Sequence, residues 1–134
     1  MSISAVTERE TRLAIDCYLD QIYEQSQQLA EELVKAGFSP EKSKTQLRGL
    51  ETLVNATGRF SEIINFIKNQ AGKESKENKW RTVAPRMLQD LKKLEEEAHT
   101  IGKDDPFLVM ETKLRLARGW VRQVVCHVLY ERPS

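Results

Sequence analysis

A chain of 134 residues, 40% hydrophobic and 31% charged, can bury one hydrophobic core but not a core plus a separate catalytic domain, so a single domain over residues 1–134 is expected. No uncharged run approaches the ~20 apolar residues that cross a bilayer, and Met1–Thr7 lacks the basic-then-apolar layout of a signal peptide, so the expectation is a soluble cytoplasmic protein without membrane contact. The net charge of +1 is unevenly spread: residues 1–38 hold three Lys/Arg against seven Asp/Glu and residues 39–81 nine against five, so any attraction to a polyanion must come from local placement of cations.

Thr7 and Glu10 have capping-box spacing, which predicts a first helix running to about Lys35 with Ile15, Leu19, Ile22, Leu29 and Leu33 at helical period. Gly37 supplies a left-handed cap and Pro40 a stop. The polar run Gln25–Gln28 interrupts the apolar stripe and marks a kink or a contact surface. Ser43 and Gln46 form a second candidate capping box, opening a helix through Leu47, Leu50 and Val54 toward Phe60, Ile64 and Ile67. Asn55, Thr57 and Gly58 favour a break there, with Ser61 capping the next helix.

Gly72–Lys79 contains no apolar residue and reads as an exposed, mobile loop anchored by Trp80. A further helix over about Thr82–Ile101 places Pro85 in its first turn, buries Met87, Leu88, Leu91, Leu94 and Ala98, and ends at Gly102. Asp105 and Pro106 are a cap followed by a first-turn proline. The apolar seam that follows, Phe107, Met110, Leu114, Ala117, Val121, Val124 and Val128, marks the core helix. No alternating strand pattern competes, so the expected fold is all-α, a compact bundle of four to five helices.

Chemistry is sparse. Cys17 and Cys126 lack disulfide or metal-ligand spacing and read as reduced, partly buried thiols. His99 and His127 lie near helix ends without ligand partners, and Glu95, Glu96 and Glu97 read as a solvated, ion-paired face. No catalytic residue, metal site or cofactor is expected. The cations say more. Arg115, Arg118 and Arg122 follow helical steps of three and four with no acid among them, a stripe whose repulsion is offset by acids elsewhere in the bundle or in a protein partner, or by a phosphate backbone. Lys44 and Arg48 share a face in the first turns of a helix, although Glu51 can neutralise Arg48 and Glu62 can neutralise Arg59. Trp80 and Trp120 are core candidates, Trp80 being the one to test for exposure and base stacking.

The stretch Ser43–Asn55, "SKTQLRGLETLVN", with a small polar cap and then Leu47-Arg48-Gly49-Leu50 opening an amphipathic helix, resembles the small helical subunit of type III CRISPR effector complexes, the Csm/Cmr small-subunit family. "GRFSEIINFIKNQ" and "FLVMETKLRLARGWVRQVVCHVLYE" are similar to that family's middle and last helices, so the likeness covers roughly Ser43–Tyr130. The resemblance implies a non-catalytic protein in several stacked copies, bridging other effector subunits in antiviral defence. It also implies contact with the sugar-phosphate backbone of target RNA paired to guide RNA, without sequence specificity. By position in the matched helix it implies RNA contact at Lys44 and Arg48. Charge placement alone adds Lys42, Arg59, Lys68, Arg115, Arg118 and Arg122. The alternative is a helical protein–protein interaction adaptor in which Gln25–Gln28 and the arginine stripe bind acidic partners and RNA has no role.

Overall fold

The computed structural model describes the backbone of residues 2–73 and 78–130 and side chains from Glu8 onward. Among these residues there are six helices and no strand: α1 (Ser2–Gln21), α2 (Tyr23–Lys35), α3 (Pro40–Ala56), α4 (Phe60–Gly72), α5 (Lys79–Gly102) and α6 (Pro106–Tyr130). The chain is an all-α bundle. The sixth helix arises because the expected first helix is divided at Ile22.

Ile22 has φ −90° and ψ 5°, off helical values, yet its N–H still donates to the Tyr18 carbonyl (3.0 Å) and its carbonyl accepts from Ser26 (2.9 Å), so the rod bends without ending. A side chain has entered the hydrogen-bond ladder: Gln123 of α6 donates through Nε2 to the Leu19 carbonyl at 2.9 Å, one turn before Tyr23. The bend therefore precedes the Gln25–Gln28 run, in which Ser26 is buried. At the other end, α1 is already helical from Ser2, and the side chain of Thr7, the expected cap, lies outside the described residues.

Gly37, at φ +114°, closes α2 as expected. Its N–H donates to the Val34 carbonyl and that of Phe38 to the Leu33 carbonyl, with Leu33 and Phe38 packed in the core. The next helix starts earlier than Ser43. Ser39 accepts from the Lys42 N–H (3.1 Å) and its own N–H donates to the buried Ser43 hydroxyl (3.2 Å), with Pro40 at the first helical position. Gln46 is freed from capping and accepts instead from the Trp80 indole at 3.1 Å.

The chain does break between Ala56 and Phe60, but the device is Thr57 rather than Ser61: the buried Thr57 hydroxyl accepts from the Arg59 N–H at 3.0 Å. Of the Gly72–Lys79 loop, residues 74–77 lie outside the described residues. Asn78 ties the loop's two sides together, its Nδ2 reaching the carbonyls of Gln70, Ala71 and Lys73 while its Oδ1 accepts from the Arg81 N–H. Lys79 opens α5 three residues before Thr82, which moves Pro85 out of the first turn into the second, where it withdraws a donor from the Arg81 carbonyl.

The α5–α6 turn is tight. A Cβ on Gly102 would lie 2.9 Å from the Val109 nitrogen, and Lys103 and Asp104 take positive φ of 49° and 68°. Lys103 holds the left-handed cap position at the steric cost that glycine avoids. Lys103→Gly is expected to stabilise the fold by about 1 kcal/mol, read as a higher thermal midpoint.

Asp105 caps α6 as expected, its Oδ1 accepting from the N–H of Phe107 (3.0 Å) and of Leu108 (3.3 Å). α6 packs against each of the other five helices. Its expected seam is buried from Leu114 onward, but Phe107 and Met110 are 80% and 48% exposed. Gly102 abuts Val109, so α5 covers the first turns on the side of Val109 and Thr112 instead.

On α5, Asp90 lies half-buried beside Tyr18, Ser26 and Trp120, and desolvation raises its pKa against the opposing pull of Arg86, Lys93 and the Trp120 indole. The folded state then holds this proton more tightly than the unfolded chain. The group therefore favours folding at low pH, and that contribution is lost as pH rises through its folded-state pKa. Asp90→Asn is expected to raise stability at neutral pH and flatten its fall as pH rises above the ordinary carboxylate range, as read from urea midpoints over a pH series.

Candidate nucleic-acid interface

α3 runs antiparallel to α6. Arg118 of α6 donates through Nε to the Val54 carbonyl near the end of α3 at 2.9 Å, while Arg48, nearer its start, lines a groove with Val125 and Leu129 near the end of α6. At 100° per residue, Lys44 and Arg48 lie 40° apart around α3, on the flank carrying Glu51 and Asn55. Arg122 is exposed on α6 one turn after Arg118, along the same α3–α6 seam. The structure thus gathers Lys44, Arg48, Arg118 and Arg122 along one seam.

It does not gather the rest. Lys42 lies 160° around α3 from Lys44, toward the side of Gly49, which packs on Phe66 of α4. Arg59 caps the start of α4, largely exposed and paired with Glu62 at 3.0 Å. Lys68 is exposed on the outer side of α4 with Ser61 and Asn65.

The arginine stripe of α6 divides by partner. Arg115 is half-buried and meets Glu8 of α1 at 3.3 Å and Glu111, one turn back, at 3.9 Å, so acids do interrupt the stripe. Arg118 spends its Nε on the α3 carbonyl, supplying one of the donors that a helix C-terminus lacks. Arg122 makes no ion pair among the described residues. Arg48 pairs with Glu51 at 2.7 Å but remains mostly exposed, with further guanidinium N–H groups to offer. An exposed pair of this kind is weak enough for a phosphate to displace the carboxylate.

The other readings from sequence resolve unevenly. Glu95 does pair, with Lys113 at 2.8 Å, and His127 packs edge-to-face on Tyr23 with ring centroids 5.1 Å apart. Both thiols are exposed rather than partly buried, because Cys17 and Cys126 lie outside the apolar stripes of α1 and α6. Trp80 and Trp120 are buried, so neither presents a face to a base. Among the described residues no metal-ligating group of three or more side chains is found, and no helix is long and apolar enough to cross a membrane.

Sequence reasoning passed over Tyr23, which is 45% exposed, and Tyr130, 87% exposed. Both stand off the apolar stripes of their helices, and an aromatic off the stripe is the signal that could have marked them. No protein family, curated protein or solved structure matches the chain.

Proposed function

We propose that this protein is a non-catalytic small subunit of a type III CRISPR effector complex, present in several stacked copies. In this reading it holds the sugar-phosphate backbone of target RNA paired to guide RNA and bridges larger subunits in antiviral defence. The observation that carries the reading is the α3–α6 seam, where Lys44, Arg48 and Arg122 are exposed side by side and Arg118 is anchored between the helices. Cations fixed on two packed helices present charge at set spacing, which suits a regular phosphate backbone and reads no base sequence. The resemblance of Ser43–Tyr130 to that small-subunit family supports the same assignment.

Phe107 and Met110, exposed at the far end of α6, offer an apolar contact to a neighbouring subunit. They also favour the rival reading, a helical adaptor without RNA. Copurification of the tagged protein from its host separates the two. Repeat-derived guide RNA together with larger effector subunits is the expected result, and a single protein partner without RNA would overturn the reading in favour of the adaptor. Salt gives a second axis, since polyanion binding weakens steeply as salt rises and an apolar interface does not.

A further inference from the structure

The groove beside Arg48, of about 410 Å³, has a floor of Val125 and Leu129 and aromatic walls of Tyr23, His127 and Tyr130. No Asp or Glu lines it. One cation, Arg48, lines it; Lys44 lies one turn earlier on α3, and Arg122 lies one turn before the groove's Cys126 on α6. Tyr23 is steadied by its edge-to-face contact with His127, so an aromatic surface stands ready in the groove that Arg48 lines.

We infer that this groove is a stacking site for one unpaired nucleobase of an RNA strand, with Arg48 holding the adjoining phosphate. The inference rests on the RNA-binding reading above and adds to it a contact with a base. Flat rings on an apolar floor suit the face of a base, and the Arg48 guanidinium suits the phosphate joined to it. An apolar peptide would match the floor and leave Arg48 unanswered, while a base held within a duplex cannot reach the floor at all. Stacking of this kind tolerates any base, which agrees with a backbone reader that ignores sequence.

The test uses the purified protein and two short single-stranded oligoribonucleotides of equal length. One carries a fluorescent adenine analogue, and the other has abasic sugars in place of its bases. Wild type is expected to quench the analogue on binding, and RNA is expected to shield Cys126 in the groove from alkylation while Cys17 on α1 stays reactive. Tyr23→Ala should weaken binding of the base-carrying strand about ten-fold and leave the abasic strand unchanged, and Tyr23→Phe should restore wild-type affinity. Because Tyr23 is exposed, the alanine variant should keep its helical circular dichroism. If Tyr23→Ala binds both strands as wild type does while charge reversal at Arg48 and Arg122 still weakens them, the base site is wrong and the backbone reading stands. If wild type binds neither strand at low salt but binds an RNA duplex, the base site is wrong and the backbone reading stands; if it binds none of the three, both are wrong.

Discussion

Replacing Trp80 by alanine is expected to cost about 3–5 kcal/mol of stability, enough to unfold much of the population of a domain this size. Trp80 opens α5 and lies between Phe38, which follows α2, and Phe66 of α4, with ring centroids 5.1 and 6.0 Å away in edge-to-face geometry. Its indole N–H reaches Gln46 of α3 at 3.1 Å. One side chain thus joins three helices and the α2–α3 connection near the end of the bundle where Asn78 ties off the loop. Removal leaves a cavity between two aromatic rings and a Gln46 amide without its donor. Trp80→Phe keeps most of the volume and loses the hydrogen bond, so a loss of roughly 1–2 kcal/mol is expected. Urea midpoints for the two variants measure the ratio, and a Trp80→Ala protein as stable as Trp80→Phe would mean that packing at this junction contributes little.

The second large effect concerns binding rather than folding. Reversing charge at both Arg48 and Arg122 is expected to reduce RNA affinity at low salt by roughly a hundred-fold, taking about 1.5 kcal/mol for each charge-assisted hydrogen bond to phosphate that is removed. The loss should be similar across RNA sequences and should flatten the salt dependence, because fewer counterions are displaced on binding. Both side chains are exposed, so stability should move by less than about 0.5 kcal/mol. Arg118→Gln is the contrast: its guanidinium is tied to the Val54 carbonyl, so its loss should appear as instability of the α3–α6 packing before it appears in affinity. Equal RNA binding by the Arg48/Arg122 double variant and wild type would remove the seam as the interface.

Features set by local chemistry were legible in the chain. The Asp105–Pro106 start, the Gly37 cap and the buried run from Leu114 to Val128 each depend on residues within a turn or two of one another. What escaped depends on distant partners. The bend at Ile22 lies where Gln123, 104 residues on from Leu19, bonds the Leu19 carbonyl, and Arg115 meets Glu8 on another helix more closely than Glu111 one turn back. The same limit governs the candidate interface. Helical spacing placed Lys44 and Arg48 on one flank, and it placed Arg115, Arg118 and Arg122 on one stripe. Only packing reveals that these two meet along a seam, that Arg118 is committed within it, and that Tyr23 stands beside it.

The position of α6 at the hub of the bundle also bears on how the chain comes to be folded. α6 follows five helices in the order of synthesis, yet each of those five rests on it. While a ribosome is still making the segment from Pro106 onward, the faces of α2, α3 and α5 that pack on α6 have emerged without the surface that covers them. Cooperative folding of the whole bundle must wait until α6 clears the exit tunnel, leaving a window in which those faces stay open to solvent. Ribosome-bound chains arrested before Pro106 should be cut readily by protease, whereas chains arrested far enough downstream to release Tyr130 should resist, in one abrupt step.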